Sequence, residues 1–110
     1  MAIANAQQTI TAAVTEWGGI TAGPHRFGGV AYRLGQREIG HIHGDHLVDI
    51  PFPTAVRDEL ISTGQAEMHH ILPDSGWVSA TLRSEDDVTR ALDMLQRSNT
   101  IAANQRRRKP

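Results

Sequence analysis

Ten consecutive residues, Arg37-Glu38-Ile39-Gly40-His41-Ile42-His43-Gly44-Asp45-His46, carry the densest chemistry of the chain and half of its six histidines. Successive side chains of a strand alternate faces at about 3.3 Å per residue, so His41 and His43 are expected on one face with α-carbons about 6.6 Å apart. Two imidazoles then look into the same space. Their ordinary pKa, ~6.5, is the side-chain value nearest neutrality, which suits a pocket that binds a metal, moves protons or grips a polar ligand.

Three uses of the cluster are open. His41 and His43 with Asp45 or His46 make a two-His-one-carboxylate or three-His set, the kind that holds non-haem iron or catalytic zinc. Alternatively, one imidazole acts as a general base that takes a phenol or enol proton and activates the carbanion towards oxygen. The third use is structural, hydrogen bonding beside a hairpin. A second pair, His69 and His70, occupies adjacent positions of an expected strand, so the two should face opposite sides and only one should join the cluster. Arg37 could hold an anionic substrate group and Glu38 could orient a histidine. Trp77 suits the core, or else a stacking platform for an aromatic ligand. Asp74-Ser75-Gly76 reads as a turn, and no motif supports a serine nucleophile.

The scaffold for these residues has 110 positions, which fits one domain with a core of its own. Residues 1–105 are expected to form that domain and 106–110 a basic, disordered tail. Outside Arg106, Arg107, Arg108 and Lys109, seven basic residues stand against twelve acidic ones. An acidic body lacks the basic face that displaces phosphate counterions, so no nucleic-acid partner is expected. Cysteine is absent, which excludes disulfides, thiolate catalysis and sulfur-based zinc sites. No apolar run approaches the ~18 residues of a membrane span, and no secretory pattern opens the chain. A cytoplasmic protein without a membrane partner is expected, with a small molecule as its ligand.

Apolar spacing predicts a helix over 2–17, with Ile3, Ile10, Val14 and Trp17 on its buried side and Gly18-Gly19 at its end. Beyond a Gly23-Pro24 loop, 27–34 and 37–43 read as strands joined across Gly35-Gln36, with Gly28-Gly29 marking a bulge or a close ligand approach. Residues 47–50 form an extended apolar segment. Pro53 suits the first turn of a helix continuing over 54–63. Strands over 66–72 and 77–82 flank a turn at Pro73-Asp74-Ser75-Gly76. Ser84 and Asp87 resemble a capping box for a last helix whose buried stripe is Val88, Ala91, Leu92 and Leu95. The expected class is α+β, two β-hairpins forming an antiparallel sheet with helices packed on one face. Exposed hairpin edges leave a homodimer open.

The run 37–46, the following Asp49-Ile50-Pro51-Phe52-Pro53, the stretch His69-His70-Ile71-Leu72-Pro73-Asp74-Ser75-Gly76-Trp77-Val78-Ser79 and the final amphipathic helix resemble the luciferase-domain family. These are small bacterial proteins similar to the luciferase of luminous fungi, which carries a similar Arg-Glu-Ile-x-His-x-His-x-x-His run and a Trp opening a strand before its last helix. The resemblance spans roughly residues 26 to 100. It implies oxygen chemistry on a hydroxylated aromatic or enolic molecule without a redox cofactor. His41, His43, His46, His69 and His70 are then the catalytic candidates, and Arg37, Glu38 and Trp77 the substrate-binding ones. A divalent metal on His41, His43 and Asp45 is the alternative, and a non-catalytic binding module or an interaction protein the other class of function.

Overall fold

The computed structural model describes residues 3–72 and 74–108. Its elements run α1 (Ala6–Thr15), β1 (Ile20–His25), a 3-10 turn (Arg26–Gly28), β2 (Gly29–Leu34), β3 (Arg37–His43), β4 (Leu47–Pro51), α2 (Thr54–Ser62), β5 (Glu67–Met68), β6 (Trp77–Thr81) and α3 (Glu85–Arg108). The strands form a six-stranded sheet in the order β1-β2-β3-β4-β6-β5, antiparallel throughout. This is the α+β class expected from the sequence.

Alternation along the strands sorts the side chains between two faces. Tyr32, Ile42, Val48, Ile50 and Val78 are fully buried and join one core cluster with Ile10, Val14, Leu60 and Leu95 from the helices. Tyr32 bonds through its hydroxyl to Thr11 of α1 at 2.7 Å, and Arg97 of α3 pairs with Glu59 of α2 at 3.0 Å. All three helices therefore cover the same face. Gly40 lets α3 approach: a β-carbon there would lie 2.5 Å from Leu95 Cδ2. His41, His43, Asp49 and Ser79 take the opposite face.

Several boundaries move. β1 replaces the expected Gly23-Pro24 loop; it is an edge strand, where proline's missing N–H costs no ladder bond. Residues 66–72 pair over Glu67–Met68 alone. The first helix starts at Ala6, and the last continues through Arg108, across the start of the expected tail; Lys109 and Pro110 lie outside the described residues, as does Pro73 of the expected turn. Gly28 and Gly29 mark a 3-10 turn and the start of β2. The bulge sits further on, where Tyr32 pairs with Gly40 but Arg33 with Glu38, leaving Ile39 as the extra residue. Trp17 packs only partly buried against the core.

Candidate functional site

One row of the sheet builds the site's floor. His41 on β3 registers with Asp49 on β4, and Asp49 with Ser79 on β6, so three polar side chains stand side by side on the face away from the helices. Asp49 is completely buried. Its Oδ1 accepts the Ser79 hydroxyl at 2.7 Å. Its Oδ2 is the focus of four imidazoles: His43 Nε2 at 2.9 Å, His41 Nε2 at 3.2 Å, His70 Nε2 at 3.3 Å and His69 Nε2 at 3.4 Å.

The bulge at Ile39 supplies the next contact. In an unbroken strand residues 38 and 41 face opposite sides; one extra residue shifts the phase, and Glu38 Oε2 meets His41 Nδ1 at 2.6 Å. His41 is thus held between two carboxylates and donates from both ring nitrogens. Burial alone would lower its pKa, but the hydrogen bonds to Asp49 and Glu38 and the charges of both acids push it up to about 9. Burial would likewise raise Asp49, yet the hydrogen bonds from His41, Ser79 and His43 outweigh it and hold the carboxyl well below the usual carboxylate range. The Glu38–His41–Asp49 chain is a carboxylate–imidazolium–carboxylate array.

His25 reaches the cluster from β1, across β2. The β2 residues between it and His41 are Gly29 and Ala31, too small to block, and the two rings stack with centroids 4.0 Å apart. Burial and the neighbouring His41 charge lower the pKa of His25.

His69 and His70 both turn towards Asp49. They follow the end of β5 rather than continuing it, so strand alternation no longer separates them, and their rings stack at 4.4 Å. His69 Nδ1 accepts the backbone N–H groups of Ile71 and Leu72 at 3.1 and 3.0 Å. That fixes the neutral ring's proton on Nε2, facing Asp49. Burial lowers the pKa of His69, with the Asp49 charge opposing it only in part.

Above this floor opens a cleft of about 720 Å³. Trp77 forms one wall, 5.3 Å from the His41 ring and 6.0 Å from that of His69. Phe27, Ile71 and Leu72 form an exposed apolar rim. Phe27 is 99% exposed and sits at φ 57°, a left-handed conformation uncommon for a bulky residue.

The expected site residues thus divide. His41, His43, His69 and His70 converge on Asp49, with Glu38 and Trp77 beside them. His46 lines the same cleft, exposed. Asp45 lies elsewhere: its Oδ1 accepts the Gln7 N–H at 2.9 Å and caps the start of α1, where Asn5 makes no side-chain cap. Arg37 is exposed and donates to Gln105 of α3.

Asp49, Ser79 and His25 escape the sequence reading. A signal existed for Asp49, a lone charge inside the apolar run Leu47-Val48-Asp49-Ile50, since an unpaired acid is almost never fully buried. Among the described residues two sets bring three potential ligand atoms within 4.8 Å of one another: His25, His41 and His43, and His43, Asp49 and His70. No helix among the described residues is long and apolar enough to cross a membrane.

No curated protein and no solved structure matches the chain. The Luciferase domain family model matches residues 36–98, from just before β3 into α3, and so takes in Glu38, Asp49, Ser79, Trp77 and every clustered histidine except His25. With more than half of its length matched, this chain belongs to the Luciferase domain family.

Proposed function

We propose that the protein is a small oxygenase-like enzyme acting on a hydroxylated aromatic or enolic molecule in this cleft. The observation that carries the proposal is the His43–Asp49 pair on the cleft floor. Asp49 Oδ2 accepts the proton of His43 Nε2 at 2.9 Å, which leaves Nδ1 of the neutral ring with the lone pair, as in other carboxylate–imidazole general bases. Nδ1 would take the proton of a phenolic or enolic hydroxyl. The resulting anion, delocalised onto carbon, would give electrons to molecular oxygen, which is itself the oxidant, so this route calls for no redox cofactor.

The surroundings support that assignment. Trp77 offers a face on which a planar ring stacks, and the rim of Phe27, Ile71 and Leu72 supplies apolar contact. The His41 imidazolium lies 4.8 Å from the His43 ring and offsets negative charge developing on the substrate.

The test is oxygen uptake by purified protein with phenols, catechols and hydroxypyrones. Substrate-dependent uptake is expected, falling by ~10²- to 10⁴-fold in His43→Ala, the usual cost of losing a general base. Uptake equal to that of buffer across the panel, together with saturable binding of the same compounds, would instead establish a non-catalytic binding module.

A further inference from the structure

The oxygen atom at the centre of the cluster is oversubscribed. Asp49 Oδ2 has four imidazole Nε2 atoms within 3.4 Å, while a carboxylate oxygen offers about two lone-pair directions. A cation shared between the carboxylate and some of these nitrogens resolves the crowding, because Nε2 lone pairs then point at the ion and their protons leave.

We propose that His43, Asp49 and His70 bind one divalent transition-metal ion, with a fourth coordination position open to the cleft. The inference is independent of the proton-transfer reading and replaces it in loaded protein, because a ring that ligates through Nε2 carries its proton on Nδ1 and is no longer the base.

Geometry selects these three. At metal–ligand distances of about 2.1 Å, neighbouring ligand atoms of a tetrahedral site lie about 3.4 Å apart. His43 Nε2 and His70 Nε2 stand 2.9 and 3.3 Å from Asp49 Oδ2, close to that spacing. Their rings meet nearly edge to face, at 83° with centroids 6.2 Å apart, so their in-plane lone pairs can converge. The alternative set of His25, His41 and His43 fails on the same ground: His25 and His41 are stacked at 4.0 Å with ring planes 21° apart, which leaves their lone pairs nearly parallel. His69 is excluded twice, because it stacks on His70 and because its Nδ1 accepts two backbone N–H groups, which keeps the Nε2 proton in place.

His41 holds the carboxylate ligand in place: with its Nδ1 on Glu38, its Nε2–H donates to Asp49 Oδ2 at 3.2 Å, as ligating carboxylates are commonly hydrogen-bonded by a neighbouring donor. Two imidazoles and one carboxylate favour zinc, iron, cobalt or nickel over magnesium or calcium, which prefer all-oxygen sites. An ion held here by His43, Asp49 and His70 would supply Lewis acidity, lowering the pKa of a hydroxyl bound at the open position, and so would suit the same substrate class with His43 as a ligand.

The experiment uses full-length protein stripped with chelator, dialysed and titrated with Co²⁺ and Zn²⁺. One ion per chain is expected, with the visible absorption of Co²⁺ bound by nitrogen and oxygen and a raised melting temperature. His70→Ala should lower the affinity at least tenfold without changing the melting temperature of the metal-free protein, because His70 is exposed; His43→Ala should do the same to affinity. His46→Ala, outside the set, should bind as the parent does. No saturable binding, or binding weakened equally by His46→Ala and His70→Ala, as for a surface histidine patch, overturns the proposal. Oxygen uptake measured on stripped and loaded protein separates the two readings: stoichiometric metal without turnover leaves this site standing and removes the enzyme, whereas turnover in protein that binds no metal does the reverse.

Discussion

Glu38 and His41 touch at 2.6 Å although they belong to opposite faces of a regular strand, because Ile39 is looped out of the β2–β3 ladder between them. Bulges of this kind re-aim side chains next to functional sites. Here the consequence is an imidazolium buried against two acids, the most strongly perturbed histidine of the cluster.

Glu38→Gln tests that array in chelator-treated protein. His41 has a folded pKa raised from the ordinary 6.5 to about 9, so the stability it contributes is fully present below pH 6.5 and lost as the pH rises through 9. Urea midpoints should decline across that window in the parent and decline less in Glu38→Gln. The His41 ring should titrate at lower pH in the variant when followed by NMR; an unchanged titration would show that Glu38 does not hold the proton.

Asp49→Asn should be the costliest polar substitution at the site. Removing one partner of a buried ion pair typically costs about 3 to 5 kcal/mol; Asp49 lies against His41 with no exposure of its own, and because Glu38 still faces His41 after the change, a loss at the lower end of that range is expected. Equilibrium urea unfolding of metal-free protein at pH 7 measures it. A loss below 1 kcal/mol would mean that the carboxylate contributes little to folding.

Asp45→Ala should destabilise by about 1 kcal/mol, the usual cost of losing a helix cap, because Asp45 holds the Gln7 N–H at the start of α1. Metal affinity and oxygen uptake should match the parent. A tenfold loss of either would place Asp45 in the site after all.

Phe27→Gly separates function from folding at the cleft mouth. The side chain is 99% exposed and the backbone sits at φ 57°, a conformation glycine adopts without strain, so the melting temperature should hold or rise. Weaker ligand binding, read as a higher KM or Kd, is expected from the lost rim contact. A lower melting temperature would show that Phe27 packs in solution.

Trp77→Ala should act mainly on binding, in contrast to a core tryptophan, whose loss costs about 3 to 5 kcal/mol. Trp77 is half-buried, walls the cleft and lies 5.3 Å from His41. A rise in KM with a modest loss of stability is the expected pattern; a cooperative transition shifted by several kcal/mol with KM unchanged would make Trp77 a core residue.

Local sequence determined what depends on neighbours a few residues away. β3 runs over Arg37–His43 as alternation and Gly44 require, and the Ser84–Asp87 capping box closes with Ser84 Oγ accepting the Asp87 N–H at 3.2 Å and Asp87 Oδ2 accepting the Ser84 N–H at 3.1 Å. The common face of His41 and His43 follows from the same two-residue period. What joins them came from elsewhere. Asp49 meets His41 and Ser79 meets Asp49 only through the register of three strands, His25 arrives over the small side chains of β2, and a single bulged residue turns Glu38 to His41. His69 and His70, which alternation would separate, face one carboxylate because β5 stops at Met68. Strand register, a bulge and the end of a ladder are decided by packing between distant segments, so the tertiary structure alone placed Asp49 at the centre of the site.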